Sequence, residues 1–283
     1  MRRQVDEQDA PHGAGHDSAR LLLAIPMKQE LIDESNAAFW DTLCGSGLAR
    51  SIGITGRDPG DLRRFDEVYM ARYPYLEGYV PRDLSGKRVL EIGLGFGTLG
   101  QFLAERGAEY HGADIAAEPV AMMRKRLEWL GRPGDVRVAS ALELPWEDET
   151  FDYVYTIGCL HHTGNLRQSV DEVHRVLRRG GRAVVMLYNR NSLRQAVFRL
   201  RNRMRGMTST ESDEMLRKLY DGAGTPHTDF VSKQEVRELF AAFSRVEIDV
   251  QNFDGFPYGI KREWFLGNIA RIVGLDLYIT ADK

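Results

Sequence analysis

Short apolar runs alternate with amphipathic stretches from residue 87 to residue 188, and this alternation limits the fold more than any other feature of the chain. Runs at 88–92, 110–114, 136–139, 151–157 and 183–188 have the length and side-chain character of buried strands. Between the first two, residues 97–106 gather Leu99, Phe102 and Leu103 on one side of a helix. The stretch opened by Glu118 and Pro119 does the same with Val120, Met123, Leu127 and Leu130. Its proline sits in the first turn, where a missing N–H costs nothing, and Gly131 stops it. Asn165 is placed to cap a third helix carrying Leu166, Val170, Val173 and Leu177, which the pair Gly180-Gly181 is expected to end. Repetition of strand, helix and strand calls for parallel neighbours joined by crossovers, so helices must cover both faces of the sheet. Runs at 245–251 and 275–280 add two more strands, expected as a terminal antiparallel pair. The expected fold is therefore α/β, with seven strands in one mostly parallel sheet.

The flanks read differently. Residues 1–26 are polar and aperiodic, as in a disordered tail. Residues 27–86 predict a helical N-terminal cap, with one helix at about 28–43 and another at about 61–79 that spaces Leu62, Phe65, Tyr69, Tyr73 and Leu76 by three and four. Residues 87–283 form the main domain, interrupted at about 190–231 by an inserted lid. That insert opens with a basic helix at 192–205 and continues through a glycine-bearing polar segment to a helix at 232–243.

Composition excludes several classes. With 38 Lys and Arg against 41 Asp and Glu, the net charge is −3 and offers no field for a nucleic-acid partner. No apolar run approaches the roughly 20 residues of a membrane span. Two separate cysteines, Cys44 and Cys159, predict neither a disulfide framework nor a zinc site, and suit a reducing cytoplasm. No metal is expected.

The chemistry is concentrated at the end of the first strand, in Glu91-Ile92-Gly93-Leu94-Gly95-Phe96-Gly97-Thr98. Alternate glycines let the backbone turn tightly and approach a ligand, and a helix N-terminus follows with unpaired N–H groups. Asp114 closes the second strand and is placed to accept hydrogen bonds from ribose hydroxyls. Taken alone, these residues fit a dinucleotide as well, because Gly95, Gly97 and Gly100 also satisfy the dinucleotide spacing.

Four further segments decide between cofactors. Glu91 before the glycines makes the pattern E-x-G-x-G-x-G, and it is followed in order by residues 139–146, by Phe151-Asp152-Tyr153-Val154, by Leu160-His161-His162 and by residues 175–181. This succession, about a third of the chain, resembles class I S-adenosylmethionine-dependent methyltransferases, above all the ubiquinone/menaquinone-type and other small-molecule enzymes of bacteria. The resemblance implies a Rossmann-like sheet and S-adenosyl-L-methionine as cofactor. It places Glu91, Gly93, Gly95 and Gly97 around the methionine part, Asp114 on the ribose and Ile115 on the adenine. Ser140 stands where the family normally reads the adenine edge with an Asp; its hydroxyl, with the backbone of Ala141 and Leu142, is the expected substitute. Arg179 replaces a proline the family usually carries before the paired glycines.

His161 and His162 follow the fourth strand at the edge where open α/β sheets bind ligands. An imidazole of ordinary pKa near ~6.5 suits proton removal at neutrality, so both are candidate bases, with loop shaping as the alternative. Tyr188 ends the fifth strand and is a candidate to orient or wall the acceptor. Arg72 is a candidate partner for the cofactor carboxylate, and Tyr73 beside it for closing over the cofactor. The expected activity is methylation of a small natural-product-like molecule, O- ahead of N- or C-. Two alternatives stand beside it: an NAD(P)-dependent oxidoreductase, and a non-catalytic cofactor-binding partner protein. The acceptor and the oligomeric state are left open by the sequence.

Overall fold

The computed structural model describes residues 29–42, 46–54, 58–222, 224–253 and 262–283. The expected N-terminal tail and Cys44 lie outside them. Helix α1 (Gln29–Trp40), the short α2 (Gly47–Ser51) and α3 (Pro59–Arg72) precede the sheet. Asp58 caps α3 by accepting from the amides of Gly60 and Asp61, and Pro59 fills its first turn. The helix ends at Arg72, earlier than the aromatic spacing suggests. Pro74 cannot continue it, and a separate 3₁₀ turn covers Leu76–Tyr79.

Strand β1 (Arg88–Ile92), α4 (Thr98–Glu105), β2 (Glu109–Asp114), α5 (Ala117–Leu130), β3 (Gly134–Val138), β4 (Phe151–Ile157), α6 (Leu166–Val176) and β5 (Leu177–Tyr188) follow in the expected alternation. Beyond them come α7 (Leu193–Met204), α8 (Ser209–Asp221), α9 (Lys233–Leu239), β6 (Arg245–Gln251), α10 (Glu263–Leu266), α11 (Ala270–Val273) and β7 (Asp276–Asp282). The sheet has the order β3-β2-β1-β4-β5-β7-β6. Strands β1 to β5 pair in parallel. Only β7 runs against its neighbours, inserted between β5 and β6 with antiparallel pairing to both.

Two details differ from expectation. Helix α6 ends at Val176, before the glycine pair, because Leu177 already pairs with Phe151 in the sheet. The insert holds an additional helix, α8, started by a capping box in which Thr208 and Glu211 bond reciprocally.

Alternation along the strands sends successive side chains to opposite faces. Leu90 and Ile92 join Val170, Val173, Val236 and Phe240 beneath α6 and α9. Val89 faces the other way, with Leu99, Leu103, Tyr110, Met123 and Leu127 beneath α4 and α5. Among the described residues no helix is long and apolar enough to cross a membrane.

One polar junction fastens the first helices to this sheet. Arg126 on α5 is 1% exposed. It donates to the Phe96 carbonyl (2.6 Å), to Gln101 Oε1 (2.6 Å) and to both carboxylate oxygens of Asp66 on α3 (2.8 and 2.9 Å). Thr98 Oγ1 donates to the same carboxylate at 2.6 Å. Removing one partner of a buried ion pair strands the other charge, at a cost of about 3 kcal/mol or more. Asp66→Ala is therefore expected to lower the unfolding free energy by about 3 kcal/mol in urea titration. A loss below about 1 kcal/mol would mean that water replaces the carboxylate.

Candidate active site

The carboxyl ends of β1, β2, β3 and β4 open onto one cavity of about 240 Å³. The turn after β1 forms its floor. Gly93 takes φ +81°, and a Cβ there would come within 2.4 Å of Cys159 Cβ, so the first turn and the loop after β4 touch where any larger residue would separate them. Gly95 is different in kind. It lines the cavity, and a Cβ placed on it meets nothing within 4 Å, which leaves the backbone bare towards a ligand. Thr98 and Leu99, the first residues of α4, complete this side.

Asp114 ends β2 at the cavity wall. Its Oδ2 accepts from the Leu94 amide (2.8 Å) and its Oδ1 from the Ala116 amide (2.9 Å), which aims the carboxylate and leaves lone pairs for a ligand. Burial raises its pKa to about 6, against the pull of those amides. Glu91 lines the same cavity and receives the Tyr110 hydroxyl at 2.5 Å. Burial raises its pKa to about 8, and the Tyr110 hydrogen bond opposes that shift. The Cys159 thiol is pushed up to about 12, also by burial.

The sequence candidates separate into two groups. Glu91, Gly93, Gly95, Asp114, Ile115, Ser140, Ala141 and His162 are brought together around the cavity. Gly97, Leu142, Arg72, Tyr73, His161 and Tyr188 are not among the described residues that line it. Gly97 shapes the turn with φ +77° and packs against Arg126 and Met123. Arg72 is exposed at the end of α3, its guanidinium 6.0 Å from the Tyr73 ring. Tyr73 packs between Tyr69 and Tyr75, its ring centroid 4.9 and 6.2 Å from theirs. Tyr188 spends its hydroxyl on Asp221 Oδ1 (2.7 Å), and its ring packs on His161 at 4.1 Å.

The two histidines have unlike surroundings. His161 is fully buried, and that burial drives its pKa well below the ordinary value. His162 faces the cavity from a 3₁₀ turn, Leu160–His162. Its Nδ1 lies 2.8 Å from the His227 carbonyl, so Nδ1 carries the proton and Nε2 the lone pair. Burial lowers its pKa, with the Asp221 carboxylate 3.8 Å from Nε2 pulling the other way. Thr228 Oγ1 donates to the second oxygen of Asp221 at 3.0 Å.

Several lining residues escaped the sequence reading. Asp33, Asn36 and Trp40 come from α1, Phe65 from α3, and Thr163 from the loop after β4. Trp40 packs against the His162 ring with centroids 4.9 Å apart. The one available signal was spacing: 33, 36 and 40 fall on one face of a helix. Asp221 gave none.

Known proteins agree with this architecture. Residues 90–185 match the family model described as a methyltransferase domain. A ubiquinone biosynthesis O-methyltransferase of Rhizobium etli is 32% identical over 127 residues, 44% of this chain and 51% of that protein. A demethylmenaquinone methyltransferase of Thermus thermophilus is 37% identical over 102 residues, 35% of this chain and 46% of that one. The chain thus spans about half the length of these curated relatives. Among solved structures, the geranyl diphosphate C-methyltransferase of Streptomyces coelicolor A3(2) superposes with a TM-score of 0.56 at 14% identity, covering 89% of this chain and 97% of that one. Residues 90–185 thus match a methyltransferase domain, and the sheet they build has the Rossmann-like fold of that solved methyltransferase.

The Glu91 environment makes stability depend on pH in a definite direction. In the unfolded chain the carboxyl ionises near its ordinary 4.5, but in the folded chain only near about 8. Between those values the folded state holds a proton that the unfolded state has lost, so the stabilisation is complete below the lower value and is lost as pH rises through the higher. Asp114, at about 6, and Asp276, raised by burial to about 7, act in the same sense. Buried His161 and His162, whose pKa values are lowered, act in the opposite sense below about pH 6.5, so the Tm is expected to fall from about pH 7 to about pH 8, and to fall less steeply in Glu91→Gln. An unchanged slope in that variant would place the titration elsewhere.

Proposed function

We infer that this chain transfers a methyl group from S-adenosylmethionine to an oxygen of a small-molecule acceptor. One observation carries the reading: the glycine turn, Asp114, Ile115 and Ser140 line a single cavity together with Trp40, Phe65, Tyr69 and His162. The residues fit a nucleoside-bearing cofactor, because the cavity holds a bare backbone at Gly95, an aimed carboxylate at Asp114 and a buried acceptor, Asn36 Oδ1, without a partner. Glu91, Gly93 and Gly95 would surround the methionine part, Asp114 the ribose, and Ile115, Ser140 and Ala141 the base. Gly97 and Leu142 would act by shaping the backbone, and Arg72 and Tyr73 would take no direct part.

Bound there, S-adenosylmethionine supplies a methyl group already activated on a sulfonium. The protein's share is to align the acceptor and exclude water, which at best is worth on the order of 7–11 kcal/mol. Trp40, Phe65 and Tyr69 give the cavity an aromatic lining suited to a flat apolar acceptor. His162, neutral and with its Nε2 lone pair available, would take the proton of a hydroxyl, and Asp221 would stabilise the imidazolium formed. The quinone O-methyltransferase relatives support oxygen over carbon and nitrogen. The helices of 27–86 would then serve as the cap of this cavity, and the insert at 190–231 as a lid that meets the site through His162. A cytoplasmic setting belongs to the same proposal, supported by the free Cys159.

The sheet order argues against the oxidoreductase alternative. A dinucleotide fold continues its parallel order 3-2-1-4-5-6, whereas here an antiparallel strand is inserted beside β5.

Calorimetric titration is expected to give binding of S-adenosylmethionine and S-adenosylhomocysteine and none of NAD(P)H; the reverse result would move the chain to the oxidoreductases. With an acceptor in hand, His162→Asn should lower kcat by roughly 10²- to 10⁴-fold while leaving cofactor affinity within a few-fold. Loss below tenfold would reduce the chemistry to alignment alone.

A further inference from the structure

Ser140 leaves the adenine end of the cavity without the carboxylate that the family resemblance leads one to expect. A carboxylate is nevertheless present. Asp33, on α1, lines the cavity together with Ile115, Ser140 and Ala141, and its Oδ2 lies 3.5 Å from Ser140 Oγ.

Its position is fixed from both sides. Gln29 Nε2 donates to Asp33 Oδ1 at 2.8 Å and to the Thr163 carbonyl at 2.7 Å, so one amide both orients the carboxylate and ties α1 to the loop after β4. One turn further on, Asn36 Nδ2 donates to the His162 carbonyl at 2.8 Å. Between these ties the helix comes so close to the loop that a Cβ on Gly164 would meet Ile32 Cδ1 at 2.8 Å. Asn36 is 3% exposed, and its Oδ1 lacks a hydrogen-bond partner.

We propose that Asp33 reads the exocyclic amino group of the cofactor's adenine, in place of the carboxylate that Ser140 lacks. An ionised carboxylate is acceptor-only, and the amino group is the donor on that edge of adenine. A purine with hydrogen in its place offers no donor there, so a site built this way holds it less tightly. The carboxylate has thus moved from the loop after β3 to a helix lying before the family-matched segment. Recognition of the base then requires α1 to be docked. This inference rests on the methyltransferase reading of the cavity.

Titration of the full chain with S-adenosylhomocysteine and with its 6-deaminated analogue, in which hydrogen replaces the amino group, tests it, since the two ligands differ only in that amino group. The unaltered protein should prefer the adenosyl ligand by about tenfold or more. Asp33→Ala should weaken the adenosyl ligand by about tenfold and bring the two affinities within about threefold of each other. Asp33→Asn should equally lose the preference while keeping an amide for Gln29 to bond. Adding Ser140→Asp to Asp33→Ala should restore the preference. Equal weakening of both ligands in Asp33→Ala and Asp33→Asn would make Asp33 a packing residue and overturn the inference, as would an unchanged preference in either variant. Failure of the unaltered protein to bind either ligand would instead remove the methyltransferase reading on which the inference stands.

Discussion

A single buried guanidinium holds the cavity in shape. Arg126 emerges from α5, yet its bonds reach the carbonyl of the glycine turn, a side chain of α4 and the carboxylate of α3. Buried inside the protein, its charge has to find acceptors, and a planar fork finds them only in fixed directions. The three elements are therefore oriented by one group. Asp66 bonds Thr98 as well as Arg126, which sets the rotation of α3 and turns Phe65 and Tyr69 towards the cavity. Lysine would keep the charge and lose the geometry, because one ammonium cannot span the same three acceptors.

The electrostatics of the cavity follow from how little of it is polar. Glu91 and Asp114 keep their protons to unusually high pH because apolar neighbours leave them poorly solvated. The hydrogen bonds they accept limit that effect without removing it. His162 is held neutral for the same reason, and its tautomer is set by one backbone carbonyl from the insert. The molecule's net charge of −3 says nothing about these groups, whose behaviour is decided by local burial.

What could be read from the sequence was what depends on local order. The strands β1 to β5, the glycine turn and Asp114 come from periodicities of two and 3.6 and from turn chemistry acting over a few residues. The end of α6 was misplaced because pairing of Leu177 with Phe151, distant in sequence, overrides a glycine signal. Helix α8 also carries local marks, a capping box of Thr208 and Glu211 and Met215, Leu216 and Leu219 at helical spacing, which the reading of the insert as a polar segment passed over. Arg72 and Tyr73 continue the spacing of Phe65 and Tyr69, but the helix stops at Arg72 and the chain leaves the cavity there. Asp33 and Asn36 share a helix face, but that they meet the site is decided by long-range packing, and Asp221 reaches its base on a segment whose local sequence carries no mark of it.

The position of β7 bears on how the chain is made. Of all seven strands it is the last to leave the ribosome, yet it belongs between β5 and β6. Until it arrives, β5 presents an unpaired edge and β6 has nothing to pair with. Every described residue lining the cavity is synthesised earlier, between Asp33 and Thr163. A nascent chain thus contains the described cavity lining before it can complete the sheet beneath it. During that interval translation speed and chaperone cover decide whether the open edge of β5 waits for its own strand or meets another chain.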